Sequence, residues 1–292
     1  MGRRVKPAPF DYHCPGELPE AIAILQQYGD DAKVLAGGQS LIPLLSLRLS
    51  RFDHLVDLQA IEELRGVTAV DGSIRVGAMT TQADIAQNGN AAAVPLLAKA
   101  TSHIGHYQIR NRGTVGGSLA HADPAAEYPA TALALDASLE IAGPDGARHV
   151  SAADFFVSTW ATAMEPDEVL VAAHFPVWSG STGWAVDELS RRAGDFAMCG
   201  AVCGIQLDGD RVSRAALALF GVGSVPVRAR ATEAALAGEA VDDLDLPAIA
   251  AEVAATLDPP SDLHATGEQR RKMAKTLVSQ VLATAIDEAK HA

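Results

Sequence analysis

The stretch Arg110-Asn-Arg-Gly-Thr-Val-Gly-Gly-Ser-Leu-Ala-His-Ala-Asp-Pro-Ala-Ala-Glu127 sets Gly113, Gly116 and Gly117 beside the hydroxyls of Thr114 and Ser118. Glycine has no Cβ, so backbone N–H groups there can approach a bulky anion closely. Ala36-Gly37-Gly38-Gln39-Ser40 repeats the pattern where a short apolar run meets a leucine-rich segment. Amides at a strand-to-helix turn lack intrahelical partners and attract phosphate. One glycine loop before a helix is more often a tight turn than a ligand site. Two such loops shift the reading toward a diphosphate site. The P-loop form is excluded because no GxxxxGK[ST] follows either loop. The dinucleotide fingerprint is excluded as well, since Gly221-Val-Gly223 has no third glycine in register.

Other reactive side chains give no second chemistry. His103, His106 and His121 flank the glycines of the longer stretch, but isolated histidines are usually structural. Arg110 and Arg112 either neutralise a diphosphate or face a partner. Cys14, Cys199 and Cys203 are too few for a disulfide scaffold, and the last two, four apart in a strand, read as small core hydrophobes. With no CxxC, HExxH or Cys/His cluster, no iron–sulfur or zinc site is expected in this chain. Nothing pairs a nucleophile with a base. Net charge is −13 without a large Lys/Arg cluster, which argues against a nucleic-acid partner. No apolar run is long enough for a membrane span. Met1 to Pro7 lacks the apolar run of an export leader, which places the chain in the cytoplasm.

The elements that must position these loops follow in order. A helix over Leu18–Tyr28, a strand over Lys33–Ala36, a helix from Ser40 through Leu49 and a strand over His54–Leu58 make a β–α unit. The spacing puts Leu41, Leu44, Leu45 and Leu47 mostly inward. A hairpin spans Leu64–Met79, turning at Asp71-Gly72; helices cover Gln82–Asn88 and Ala91–Ile104. Asp123 and Pro124 predict the start of a helix over Ala125–Leu135, with Asp123 as its cap. A hairpin over Ser138–Val150 and a buried strand over Glu168–Phe175 complete this part. Residues 177–183 read as a linker. Strands over Trp184–Arg192, Phe196–Leu207 and Arg211–Phe220 then precede helices over Ala229–Ala237, Leu246–Leu257 and Glu268–Ala289. Strands then helices make an α+β module.

Three motifs together resemble the FAD-binding medium subunit of molybdenum hydroxylases, the xanthine dehydrogenase and carbon monoxide dehydrogenase family. They are Ala36-Gly-Gly-Gln-Ser40, Thr114-Val115-Gly116-Gly117-Ser118 running into Ala120-His-Ala-Asp-Pro124, and Arg191-Arg-Ala-Gly-Asp-Phe-Ala197. Their order and spacing span nearly the whole chain. The resemblance implies an α+β fold: a two-part FAD-binding domain of the vanillyl-alcohol oxidase (PCMH) type, then a smaller α+β domain with a three-stranded antiparallel sheet. The first would occupy residues 1–178, divided near 59/60, and the second residues 184–290. It further implies that Ala36–Ser40 and Thr114–Ser118 wrap the FAD diphosphate. Ile104 would pack on flavin or adenine, Glu127 would reach ribose hydroxyls, and Leu170 would touch the adenine side. Asp123 joins this cofactor set. Asp195 would fix the turn that lets Phe196 cover the isoalloxazine ring, where the family often has Tyr.

By the same resemblance, the partners are a large molybdopterin-binding subunit and a small subunit with two [2Fe–2S] clusters, assembled as a dimer of heterotrimers. Electrons would pass from those clusters through FAD to an external acceptor. Gln39 stands where the carbon monoxide branch has His, which points to an organic substrate such as an N-heterocycle or aldehyde. A self-contained flavin oxidoreductase of the same fold is the alternative. A scaffold that has lost its flavin is disfavoured by the intact glycine loops.

Overall fold

The computed structural model describes residues 6–292; the part of the leader argument resting on residues 1–5 lies outside the described residues. Strand β1 (Asp11–His13), helix α1 (Leu18–Tyr28), β2 (Ala32–Leu35), α2 (Leu41–Ser46) and β3 (His54–Asp57) form the first unit. Its three strands are parallel in the order β1-β3-β2. α1 begins with a proline in its first turn and buries Ala21 and Leu25 against this sheet. α2 is shorter than its leucine spacing predicts. Ser40 makes no side-chain cap, only Leu45 is buried, and Leu47 and Leu49 lie exposed. Arg48, at φ +57°, ends the helical run before Leu49.

β4 (Val67–Val70) and β5 (Ser73–Gly77) form the expected hairpin, and α3 (Gln82–Gln87) is capped by Thr81 Oγ1. The run from Ala91 opens as a 3₁₀ turn; α4 (Pro95–His103) starts only at its proline. A short helix α5 (Tyr107–Arg110) follows, then α6 (Val115–His121) and α7 (Glu127–Ala134). β6 (Ser138–Gly143), β7 (Gly146–Ser151), α8 (Ala152–Phe155), β8 (Phe156–Ser158), β9 (Ala161–Thr162) and β10 (Val169–Pro176) close this part. The antiparallel sheet β4-β5-β10-β6-β7 has β10 at its centre, which explains that strand's nearly unbroken apolar sequence.

The chain then changes sheet. β11 (Thr182–Leu189), β12 (Cys199–Asp208), β13 (Arg211–Phe220) and β14 (Val227–Arg228) pair antiparallel in order, so a fourth two-residue strand joins the three read from sequence. β11 already begins inside the expected linker, and β12 begins three residues after Phe196. Helices α9 (Arg230–Leu236), α10 (Leu246–Thr256) and α11 (Gly267–His291) pack behind. α11 opens with a capping box between Thr266 and Gln269.

All eight residues of α7 are buried, as a helix is when packed on every side. One apolar cluster runs from Ile74, Leu139 and Phe175 through Tyr128 and Leu135 to Val202, Ala218 and Phe220. The five-stranded sheet, α7 and the inner face of the last sheet therefore share a core. Among the described residues no helix is long and apolar enough to cross a membrane.

Candidate functional site

The first glycine segment links β2 to α2. Among the described residues, the amides of Gly37, Gly38, Gln39 and Ser40 meet no hydrogen-bond acceptor of the protein. Gln39 Nε2 folds back onto the Gly37 carbonyl at 2.9 Å, and Gly38 takes φ +72°. Four successive free donors at a half-exposed turn are the kind of backbone segment that can receive an anion.

The second segment is not a loop. Thr114 is the N-cap of α6, its Oγ1 accepting the Gly117 amide at 3.0 Å. The Val115 amide donates to Thr80 O at 3.0 Å and the Gly116 amide to Ala78 O at 2.9 Å. A Cβ on Gly116 would sit 2.3 Å from the Ala78 Cβ. Val115 and Gly116 thus face the end of β5, with the Gly116 amide spent on Ala78. Gly117 is the residue that meets the other segment: a Cβ there would be 3.2 Å from Ala36 Cβ and 4.0 Å from Gly37 N. Gly37 itself is held against the Arg112 carbonyl, 2.1 Å from where its Cβ would be. Gly37 and Gly117 consequently approach each other where the two segments meet, and this half-exposed junction, with Gly38 and Ser118 next along each segment, is the glycine cleft.

Asp123 does not cap the next helix. Its Oδ1 accepts the Ala125 amide at 2.9 Å, Pro124 lies before the helix, and α7 starts at Glu127 after an uncapped Ala126. Glu127 is 9% exposed. Burial, and then the charge of Glu188 on β11, push its carboxyl up to about 8. Glu188, half-buried with Oε2 unpartnered, is pushed up to about 7, mainly by burial and then by Asp187. Sequence reasoning missed Glu188; only the tertiary fold places its charge near enough to act on Glu127. Ile104 is buried at the end of α4, and its carbonyl, with that of Gly105, accepts from Arg110 Nη1 at 2.8 and 2.9 Å. Arg110 thus also has a structural role, tying the end of α4 to α5. Leu170 is a buried core residue of β10, at an irregularity in its pairing with β6.

The third motif reaches back across the fold. Gly194, at φ +84°, rests on His106: a Cβ there would be 2.5 Å from the imidazole Cε1. Arg192 pairs with Asp195 at 3.0 Å and holds that carboxyl below its ordinary value. Phe196 is left 65% exposed, since residues 196–198 precede β12. Cys199 and Cys203 are buried, and burial pushes the Cys199 thiol up to about 12, so neither is a nucleophile. His103 is half-buried, and that burial holds its imidazole below the usual range.

A fold with two apposed glycine segments, four free amides and an exposed aromatic ring carried over from a second sheet suits a large planar cofactor with a diphosphate. Family models agree. Residues 8–178 match the FAD binding domain in molybdopterin dehydrogenase, and residues 184–285 match the CO dehydrogenase flavoprotein C-terminal domain. The chain belongs to the family of FAD-binding medium subunits of molybdenum-containing dehydrogenases. It is 37% identical to the carbon monoxide dehydrogenase medium chain of Hydrogenophaga pseudoflava, over 94% of this chain and 96% of that one. It is 38% identical to caffeine dehydrogenase subunit beta of Pseudomonas sp. (strain CBB1), over 98% of each. Among solved structures, quinoline 2-oxidoreductase from Pseudomonas putida 86 superposes with a TM-score of 0.92 at 37% identity, covering 97% of this chain and 99% of that chain.

Proposed function

We propose that this chain is the electron-exit subunit of a heterotrimeric molybdenum hydroxylase, holding FAD between Ala36–Ser40 and the Thr114 end of α6. The observation that carries this is the run of four amides from Gly37 to Ser40 that, among the described residues, meet no protein acceptor, with Gly37 N close to Gly117. These donors bind the diphosphate, and Arg112, exposed beside them, adds positive charge. Ile104, Leu170 and Val115 support the site as core residues behind it. Glu127 accepts from a ribose or ribityl hydroxyl, with Asp123 nearby. Phe196, positioned by the Asp195–Arg192 pair and by Gly194 on His106, covers one face of the isoalloxazine ring. A phenylalanine there stacks without offering a hydroxyl.

FAD held by these residues would supply electron transfer between [2Fe–2S] clusters of a small partner subunit and an external acceptor. No residue of this chain acts as nucleophile or base toward the substrate, which is oxidised at a molybdenum–pterin centre in a large partner subunit. The substrate is a small N-heterocycle or aldehyde, or carbon monoxide; Gln39, in place of His, supports the organic classes. The two domains, 1–178 and 184–290, close over the cofactor, and the complex is a cytoplasmic dimer of heterotrimers. Native purification with flavin, molybdenum and iron analysis tests this. We expect one FAD per chain and co-purifying molybdenum and iron; a flavoprotein active alone would overturn it.

A further inference from the structure

We infer that Trp160 is a stacking platform for one of the flat heteroaromatic rings of the bound dinucleotide, held ready by Asp123 and His121. This rests on the reading that the two glycine segments grip FAD. Trp160 lies in the turn between β8 and β9 at φ +58°, a backbone region that bulky side chains avoid. Such strain persists only where the surroundings over-determine it, and it gathers at ligand sites. The surroundings here do so. The Trp160 amide donates to the Ala122 carbonyl at 3.2 Å, and Ala122 is itself left-handed at φ +49°. The indole Nε1 donates to Asp123 Oδ2 at 3.2 Å. The His121 ring lies nearly parallel to the indole, at 14° and 6.2 Å between centroids. Thr159, the preceding residue, donates to the Ser224 carbonyl at 3.3 Å and ties the turn to the last sheet.

Hydrophobic burial does not explain this arrangement. Trp160 remains 62% exposed, whereas Trp178 and Trp184 are buried against each other. A lone exposed apolar residue needs no explanation, but one that is exposed, strained and hydrogen-bonded through both backbone and indole does. Its place supplies one. α6 begins at the glycine cleft and ends at His121, so from Gly117 to His121 is about 6 Å along the helix. Lys33 of β2, the strand leading into Gly37, is close enough for its charge to act on His121. A ring joined to a diphosphate in the cleft is therefore within reach of the indole. Asp123 acquires a role in this account: it fixes the indole, a positioning residue and not a direct ligand of the cofactor.

The test measures FAD, FMN and ADP affinities of the full-length, flavin-stripped chain as wild type, Trp160→Leu and Trp160→Phe. Leucine keeps apolar bulk without a π-face, and phenylalanine restores the face. We expect Trp160→Leu to weaken FAD about ten- to a hundredfold, the loss typical of one stacked ring, and Trp160→Phe to recover most of it. If ADP weakens with FAD and FMN does not, the adenine is the ring that stacks; if FMN weakens and ADP does not, it is the isoalloxazine. Unchanged FAD affinity in Trp160→Leu overturns the inference. Equal loss of all three ligands in both variants overturns it too, because that is a disturbed turn and not a lost stack. A wild-type chain that binds no FAD would instead remove the underlying reading of the glycine cleft.

Discussion

Gly37 and Arg112 meet backbone to backbone: a Cβ on the glycine would lie 2.1 Å from the arginine carbonyl oxygen. That contact brings the β2–α2 turn against the segment leading into α6, so the absence of a side chain shapes the cleft before any ligand enters. Gly116 does the same against Ala78. The contacts are with main chain and, for Gly116, the Ala78 Cβ as well, none of which can swing aside.

We therefore expect Gly37→Ala and Gly116→Ala to lower the stability of the flavin-free chain as well as its FAD content. Overpacking of this kind costs about 1–3 kcal/mol, a fall in Tm of roughly 2–5 °C for a chain of this size. Differential scanning calorimetry of the flavin-free variants checks it; a normal Tm with lost FAD would show that the glycines serve the ligand alone.

The Glu127–Glu188 pair sets a pH dependence. In the unfolded chain both carboxyls ionise near 4.5, whereas Glu127 keeps its proton to about 8 when folded. The unfolded state then binds fewer protons, so stability is full below the unfolded value and falls as pH rises from about 4.5 to 8, by up to about 1.4 kcal/mol per pH unit. Glu127→Gln is expected to flatten this slope. Urea titrations of the flavin-free chain at pH 5 and pH 8 should show the variant gaining stability at pH 8 relative to wild type, with little difference at pH 5.

Arg270 on α11 is 5% exposed and donates to the Met198 carbonyl, to the Gly221 carbonyl at 2.8 Å and to Asp262 at 2.7 Å. It pins the residues that follow Phe196 to the end of β13. Arg270→Met would leave those two carbonyls without this donor in the interior, at a cost of about 3 kcal/mol. We expect a lower urea midpoint, and altered visible circular dichroism of bound flavin because Phe196 loses its support.

Phe196→Ala, by contrast, removes a ring that is 65% exposed and belongs to no core cluster. The flavin-free Tm should stay within about 1–2 °C, in line with surface substitutions of about ±0.5 kcal/mol. FAD affinity is expected to fall, as isothermal titration will show.

Much of the fold was legible because its signals are local. Pro19 and Gly29 bracket α1, Asp71-Gly72 turns the first hairpin, and the apolar run of β10 marks a strand at the centre of a sheet. The glycine segments were legible as a pair from their spacing and hydroxyl partners alone. Thr114–Ser118 was misread as a loop because glycines disfavour a helix interior, a penalty that the Thr114 cap and the packing of Gly116 on Ala78 offset. Asp123 before Pro124 has every local feature of a helix start. Yet Pro124 is held outside, its carbonyl accepting the Gly221 amide at 2.7 Å from the other sheet. Phe196 has strand character but stays off β12.

The sequence by itself determined which backbone segments lack side chains and which helices and strands flank them, since those follow from residue type and short-range periodicity. Only the tertiary structure decided which amides remain free. Val115 and Gly116 spend theirs on Thr80 and Ala78, whereas Gly37 to Ser40 keep theirs. It also decided that Glu127 would face Glu188, and that Trp160 would be held beside Asp123 and His121. Each of these is a contact between residues far apart in the chain. Such contacts depend on how sheets and helices pack, and the spacing of residues along one segment carries no record of that.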